Sequence, residues 1–245
     1  MFLFAYALAL PVFQIVLFYA IAAFLPAILL LRYVYKQDAI EKEPGYLLWQ
    51  LILLGALAGF LSMILESVGD RLIKSSPLDP SSITYQVVYY FCVVGMVEEG
   101  TKYILMASRT WRDPNFNFRF DGIVYAVFTS LGFAAMENLL YIINYGVSVA
   151  PSRALLSIPG HMAFAVLFGV FYGRAKLAHD LGHKVRQVAD LVIGYVLAVC
   201  LHGTYDTCAS LGNAASTLVF VAVIVIVYLL CFIVVRNEAR SDRRV

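Results

Sequence analysis

From Met1 to Leu31 the chain carries no charged side chain, and long uncharged runs recur along almost all of its 245 residues. Runs of this length exceed what a soluble domain buries, whereas a helix crossing a bilayer core needs about 20 apolar residues in succession. Lipid offers no hydrogen bonds to the backbone, so each run must satisfy its own amides by coiling into a helix. The expected fold class is therefore all-α and polytopic. Composition agrees, with 62% of residues hydrophobic and 14% charged. The net charge of +2 points to no nucleic-acid partner. Cys92, Cys200, Cys208 and Cys231 lie in apolar runs without CxxC spacing. They read as small core residues, supporting neither a disulfide framework nor a zinc ribbon. The start lacks the basic stretch of a cleavable signal peptide and reads as a retained first span.

Seven transmembrane helices are expected, over approximately 8–31, 46–65, 84–108, 122–145, 154–175, 189–211 and 214–235. Lys42-Glu-Pro-Gly45, Ser75-Ser-Pro-Leu-Asp-Pro80, Asp113-Pro114 and Pro151-Ser152 supply the breaks between them. Asp121 reads as the N-cap of the fourth span. Of the 18 lysines and arginines, Lys102 falls inside a span and only Arg71, Lys74 and Arg153 fall on one side; every other one falls on the opposite side. The positive-inside rule then puts the N-terminus outside and the C-terminus in the cytoplasm. No long soluble segment divides the chain, so one domain is expected over 1–245, its catalytic core at about 25–210. The last helix, 214–235, and a basic cytoplasmic tail, 236–245, follow. Gly55-xxx-Gly59 and Gly169-xxx-Gly173 would let helices approach closely. There is no internal repeat of the kind that builds many transporters.

The third span sets a problem. Its strongly apolar residues contribute about −2.5 to −5 kcal/mol to insertion, while Glu98, Glu99 and Lys102 near its middle would cost about +2.5 to +3.5 kcal/mol each. The charges outweigh the apolar residues, so this helix must be enclosed by others. From Ala214 to Val235 the last span holds no charge, as suits a helix that touches lipid. On a helical wheel Lys102 falls between Glu98 and Glu99, one turn further along. It can neutralise one carboxylate and leave the other as a proton acceptor, the property a general base needs. Gly95, on the same arc, leaves room for an approach.

Other spans carry matching groups. The fourth has Phe133-Ala-Ala-Met-Glu137-Asn138, and the fifth has Pro159-Gly160-His161, whose proline and glycine can interrupt the helix. The sixth has His202-Gly-Thr-Tyr-Asp206, where i, i+4 spacing sets an aspartate behind a histidine to fix its ring. Glu66 reads as an interfacial carboxylate, and His179 and His183 as solvated loop residues.

The ordered set Glu98-Glu99-Gly-Thr-Lys102, Phe133-xxx-Glu137-Asn138, His161 and His202-xxx-Asp206 resembles the PrsW family of intramembrane proteases. So do Lys36-Gln-Asp-Ala-Ile-Glu-Lys-Glu-Pro44 after the first span and Asp121-Gly-Ile-Val-Tyr125 at the fourth. The resemblance covers about residues 25–210. That family is similar in turn to the CAAX-prenyl-protease and Abi group, with its EExxxR, FxxxH and HxxxN/D pattern. This chain departs from the wider pattern in the spacing of Lys102 and in Glu137, which stands in place of a histidine. The resemblance implies a multi-pass protein of a bacterial or archaeal plasma membrane that cuts single-pass membrane proteins, anti-sigma factors being the substrate class. It also implies that Glu98, Glu99 and His202 are catalytic; Glu137 and His161 complete the candidate set.

The expected mechanism has Glu98 or Glu99 take a proton from an attacking water in a wet cavity. His202, oriented by Asp206, and His161 or Asn138 would stabilise the oxyanion. No serine or cysteine is paired with a base for covalent catalysis. Zinc is compatible with His161, His202 and Glu98 as an open three-ligand site, but HExxH is absent and the metal-free form is favoured on the sequence. Two rival classes are a proton-coupled transporter or channel, which also buries Glu, His and Lys, and a seven-helix receptor or assembly factor.

Overall fold

The computed structural model describes residues 2–245, with side chains described at 14 and from 17 onward. The start of the first expected span, at residue 8, therefore lies where only the backbone is described. The elements are α1 (Phe2–Gln37), α2 (Gly45–Lys74), α3 (Ile83–Val88), a π-helical section (Tyr89–Gly95), α4 (Met96–Thr110) and α5 (Asp121–Tyr145). There follow a 3-10 turn (Val147–Val149), α6 (Ala150–Ser152), a second π-helical section (Arg153–Ser157), α7 (Ile158–Asp180), α8 (Lys184–Leu211) and α9 (Ala214–Arg240). Among the described residues the single β-bridge pairs Phe118 with Arg244.

Among the described residues six helical stretches are long and apolar enough to cross a membrane: Leu17–Gln37, Gly45–Lys74, Asp121–Tyr145, Val147–Asp180, Lys184–Leu211 and Ala214–Arg240. The path from α3 through α4, the third expected span, is continuous helix but carries the acidic pair and Lys102 and is not among the six. Its neighbours enclose it: α2, α5 and α8 pack against it, and Glu98, Glu99 and Lys102 are all buried.

α5 and α7 form the centre, with more than half of their apolar windows buried, whereas the apolar windows in Leu17–Gln37 of α1 and in α9 are only 17% buried and line the outside. This follows from how helices associate in lipid, where association relies on close backbone approach and polar contacts because lipid is as apolar as the helix surface. α5 supplies small residues at Gly122, Ala126, Ser130, Ala134 and Ala135, and α7 answers with Gly169 and Gly173. A Cβ on Gly173 would lie 2.2 Å from the Arg119 carbonyl oxygen, so this pair bears out the expected close approach. The cysteines correct the sequence reading: Cys92 and Cys200 are exposed and only Cys231 is buried. An apolar run in a membrane helix has a lipid side as well as a core side.

At the end of the bundle that carries most Lys and Arg, the two sequence stretches at 36–44 and 121–125 meet. Glu43 is buried, and Tyr125 donates a hydrogen bond to it at 2.8 Å. Burial pushes the Glu43 carboxyl up to about 7, although the Tyr125 hydrogen bond opposes this, and raises Asp38 to about 6 against the attraction of Lys42. Asp121 is not the N-cap expected of it. Its Oδ2 accepts the amides of Asn117 at 3.0 Å and Phe118 at 2.7 Å, tying down the loop before the helix. The C-terminal tail closes over the same loop, with Arg119 N donating to Arg243 O at 3.1 Å and Phe120 N to Asp242 at 2.9 Å.

Candidate active site

Helix α4 begins at Met96, directly after the π-helical section, and sets Glu98, Glu99 and Lys102 on one buried face. π-Helical turns widen the backbone by one residue and recur at functional sites. Gly95 closes this section, and what approaches it is α8: a Cβ there would stand 3.3 Å from the Val199 carbonyl oxygen and 3.5 Å from the Gly203 nitrogen. The space Gly95 leaves is therefore taken by a neighbouring backbone, and this contact brings His202 onto the acidic pair.

The two glutamates have different surroundings. Glu99 Oε1 accepts Lys102 Nζ at 2.6 Å and His202 Nδ1 at 2.7 Å. Glu98 Oε2 lies 3.5 Å from Lys102 Nζ and 3.8 Å from His202 Nε2, is buried, and has no hydrogen-bond partner. A buried carboxylate oxygen without a partner requires a proton, a water or a cation. Lys102 neutralises Glu99 first, as the wheel allowed, and its ammonium also lies 3.3 Å from His161 Nδ1 and 4.2 Å from the centre of the Phe133 ring.

Each histidine ring is held by carboxylates. Glu137 Oε2 lies 3.0 Å from His161 Nε2, and His202 Nε2 lies 3.2 Å from Asp206 while Nδ1 faces Glu99. Phe164 stacks on the His202 ring, with centroids 5.0 Å apart. The helix is not broken at Pro159-Gly160-His161. α7 starts at Ile158 with the proline in its first turn, where no amide donor is needed, and the preceding π-helical section carries the chain in without a gap. Ser130 of α5 donates to the His161 carbonyl at 3.0 Å.

Glu98, His161 and His202 line a cavity of about 820 Å³, together with Glu66, Glu137 and Asp206. Glu99 and Lys102 lie behind this wall, in a small gap of about 20 Å³. The mouth is rimmed by Asn144 and Tyr145 at the end of α5, Ser152 and Arg153 before α7, Ser210 at the end of α8, and Thr217 of α9. It faces the end of the bundle opposite to the basic loops.

Two residues do more than their sequence positions suggest. Glu66 is a wall residue of the cavity rather than an interfacial carboxylate, because α2 continues to Lys74, well past the expected end at 65. Arg153, counted only as a loop charge, pairs with Glu137 at 2.7 Å, donates to Asn138 Oδ1 at 3.2 Å, and lies 3.8 Å from the centre of the Tyr141 ring. Asn138 does not reach the cavity. It is fully buried, its amide donating to the Ala23 carbonyl at 3.0 Å, so it braces α5 against α1. His179 and His183 are exposed, as expected.

Glu98, Glu99, His161 and His202 each bring a ligand atom within 4.8 Å of the others, the one such group among the described residues. Two imidazoles and two carboxylates suit zinc or a similar ion, and the unpartnered Glu98 oxygen is where a cation's charge would be satisfied.

Residues 43–235 match the family model described as PrsW family intramembrane metalloprotease. The chain belongs to the PrsW family. It is similar to the protein named Protease PrsW of Clostridioides difficile, 31% identical over 75% of this chain and 76% of that one. It is also similar to Protease PrsW of Oceanobacillus iheyensis, 30% identical over 85% and 90% of the two chains, and to that of Bacillus subtilis, 32% identical over 76% and 79%. No solved structure matches it. As a PrsW-family member it is an intramembrane endopeptidase of the cell membrane, and membership disfavours the transporter or channel reading. The match runs through Val235, so the last helix lies within the family region rather than beyond a core ending near 210. The family's description as metalloproteases runs against the metal-free form favoured on the sequence.

Proposed function

We propose that this PrsW-family chain hydrolyses a peptide bond near the outer end of a single-pass membrane substrate, at the wall formed by Glu98, His161 and His202, with a zinc ion assisting. The observation that carries this reading is that these three groups meet on one cavity whose mouth lies opposite the basic loops. By the positive-inside rule those loops are cytoplasmic, so the mouth faces outward, with the α3–α4 path counted as a seventh span. A substrate helix cannot offer carbonyls that are bonded internally, so it is cut where it frays. Anti-sigma factors are the substrate class that the family resemblance implies.

His161, His202 and Glu99 would hold the ion, with Glu98 beside it, and the ion would lower the pKa of a bound water and polarise the scissile carbonyl. The rest falls to the chain's own groups. Glu98, whose buried Oε2 has no hydrogen-bond partner, accepts the proton that water gives up as its oxygen bonds to the carbonyl carbon. That proton returns to the amine nitrogen as the C–N bond breaks. Glu99, tied to Lys102, holds the His202 ring, and Glu137, tied to Arg153, holds the His161 ring.

The test is cleavage of a purified single-pass substrate in detergent, with the metal content of the protein measured alongside. A chelator should abolish the discrete fragment and added zinc should restore it. Full-rate cleavage by protein carrying well below one metal per chain would overturn the metal assignment and leave glutamate catalysis alone.

A further inference from the structure

A second cavity, of about 260 Å³, lies at the opposite end of the bundle from the active site, between α7, α8, α9 and the loop before α5. Four guanidinium groups line it, those of Arg119, Arg174, Arg186 and Arg243. Two carboxylates answer them. Glu238 pairs with Arg119 at 2.9 Å, and the buried Asp190 lies 3.2 Å from Arg174 and 3.7 Å from Arg186. Asp242 of the tail also lies beside Arg119 and Arg243, so about one positive charge is left over. Arg119 Nε is buried without a hydrogen-bond partner, although the side chain is already ordered by Glu238. Helix α8 starts at the same cavity from His183 with no side-chain cap, so its first amides add to the positive field.

The remaining wall is apolar, made by Val170, Leu177, Ala178 and Leu181. Val170 lies about 10 Å along α7 from Leu177 at the helical rise of about 1.5 Å per residue, toward the membrane interior. Along α7 only Val170 lies deeper than Arg174, while Leu177, Ala178 and Leu181 lie on its loop side, so the apolar wall flanks the arginines. Arginine forks suit phosphate oxygens better than any other common anion.

We propose that this cavity is a binding site for a phosphate group carried on an apolar stem, an anionic phospholipid headgroup of the basic-side leaflet. Its phosphate would sit among Arg119, Arg174, Arg186 and Arg243, and its glycerol and upper acyl chains against the α7 wall. Bound there, it would join α7, α8 and the tail after α9 at one point. The site is remote from the proteolytic groups, so its test does not depend on the proposed cleavage mechanism.

The experiment is thermal unfolding and native mass spectrometry of the full chain in mixed micelles containing phosphatidylglycerol or phosphatidylcholine, and in inorganic phosphate balanced for ionic strength with chloride. Phosphatidylglycerol should raise Tm by about 3 °C or more and survive as a one-to-one adduct, while phosphatidylcholine does neither. Arg243→Gln and, separately, Arg186→Gln should lose most of the shift and adduct while keeping the lipid-free Tm, since neither side chain is buried in an ion pair that the fold depends on. A shift with inorganic phosphate and none with the lipid would keep the phosphate site but assign it to a soluble ester. Equal shifts with both lipids, no shift with any probe, or an undiminished shift in both variants would overturn the proposal.

Discussion

Glu98 and Glu99 are neighbours in sequence, yet one is fastened by Lys102 and a histidine ring while the other lines the cavity and has a buried oxygen without a hydrogen-bond partner. Replacing either by glutamine keeps shape and most hydrogen bonding but removes the titrating group. Glu98→Gln is expected to unfold within a degree or two of the wild type and to lose about 10²- to 10⁴-fold in cleavage rate, the range for removal of an acid–base group. Glu99→Gln should lose activity by a similar factor through the His202 ring. Full turnover in both variants would remove the glutamates from the mechanism. Lys102→Met leaves Glu99 buried with its cation gone, a change that typically costs about 3–5 kcal/mol. A lowered Tm together with lowered turnover is expected, and a variant matching the wild type in both would show that Lys102 is not the counter-charge. At this scale the acidic pair and Lys102 were legible because their insertion cost exceeds what one helix can offset. Arg153 was not, since a cation at a span boundary is what any interfacial loop carries. Only its distance to Glu137 separates the two cases.

At the scale of elements, apolar runs marked the helices, but α1, α2, α7, α8 and α9 each extend five to nine residues beyond an expected end, because helix continues past the apolar run into polar sequence. The two π-helical sections, Tyr89–Gly95 and Arg153–Ser157, left no comparable mark. A one-residue widening depends on what packs against the helix, here α8 at Gly95 and the proline of α7, and not on local composition. Both sections lead directly into site-bearing helices, so the rotation they impose is part of how Glu98 and His161 face each other. The α1–α2 loop carries its own prediction. Glu43 titrates near 7 in the fold, above the usual carboxylate value of about 4.3, and Asp38 near 6. The folded state then holds more protons than the unfolded chain between about pH 4 and pH 7, so stability is greatest at the acid end of that window and falls as pH rises. Glu43→Gln keeps an acceptor for Tyr125 and removes the buried charge. It should raise Tm at pH 8 and flatten the fall between pH 5 and pH 8, with about 3 kcal/mol as the upper bound of the effect. Parallel Tm–pH curves for variant and wild type would contradict this.

Across the whole molecule, the chain's polarity separates two ends: the tail pairing and the arginine-lined cavity at one, the cavity of Glu98, His161 and His202 at the other. The asymmetry of Lys and Arg could be read from the sequence, because it depends on counting alone. The convergence of α2, α4, α5, α7 and α8 on one cavity could not, because Glu66, Glu137, His161 and His202 are far apart in sequence and each has an ordinary reading by itself. The central claim is that Glu98 on the outward-facing cavity wall cuts a substrate near its outer end. The most direct measurement is mass spectrometry of the fragments made by purified wild type and Glu98→Gln from a single-pass substrate of known orientation. A single cut in the outer juxtamembrane region by the wild type, absent from a Glu98→Gln protein with unchanged Tm, is the predicted result. Fragments ending at the cytoplasmic side, or the same fragments at the same rate from Glu98→Gln, would contradict the account.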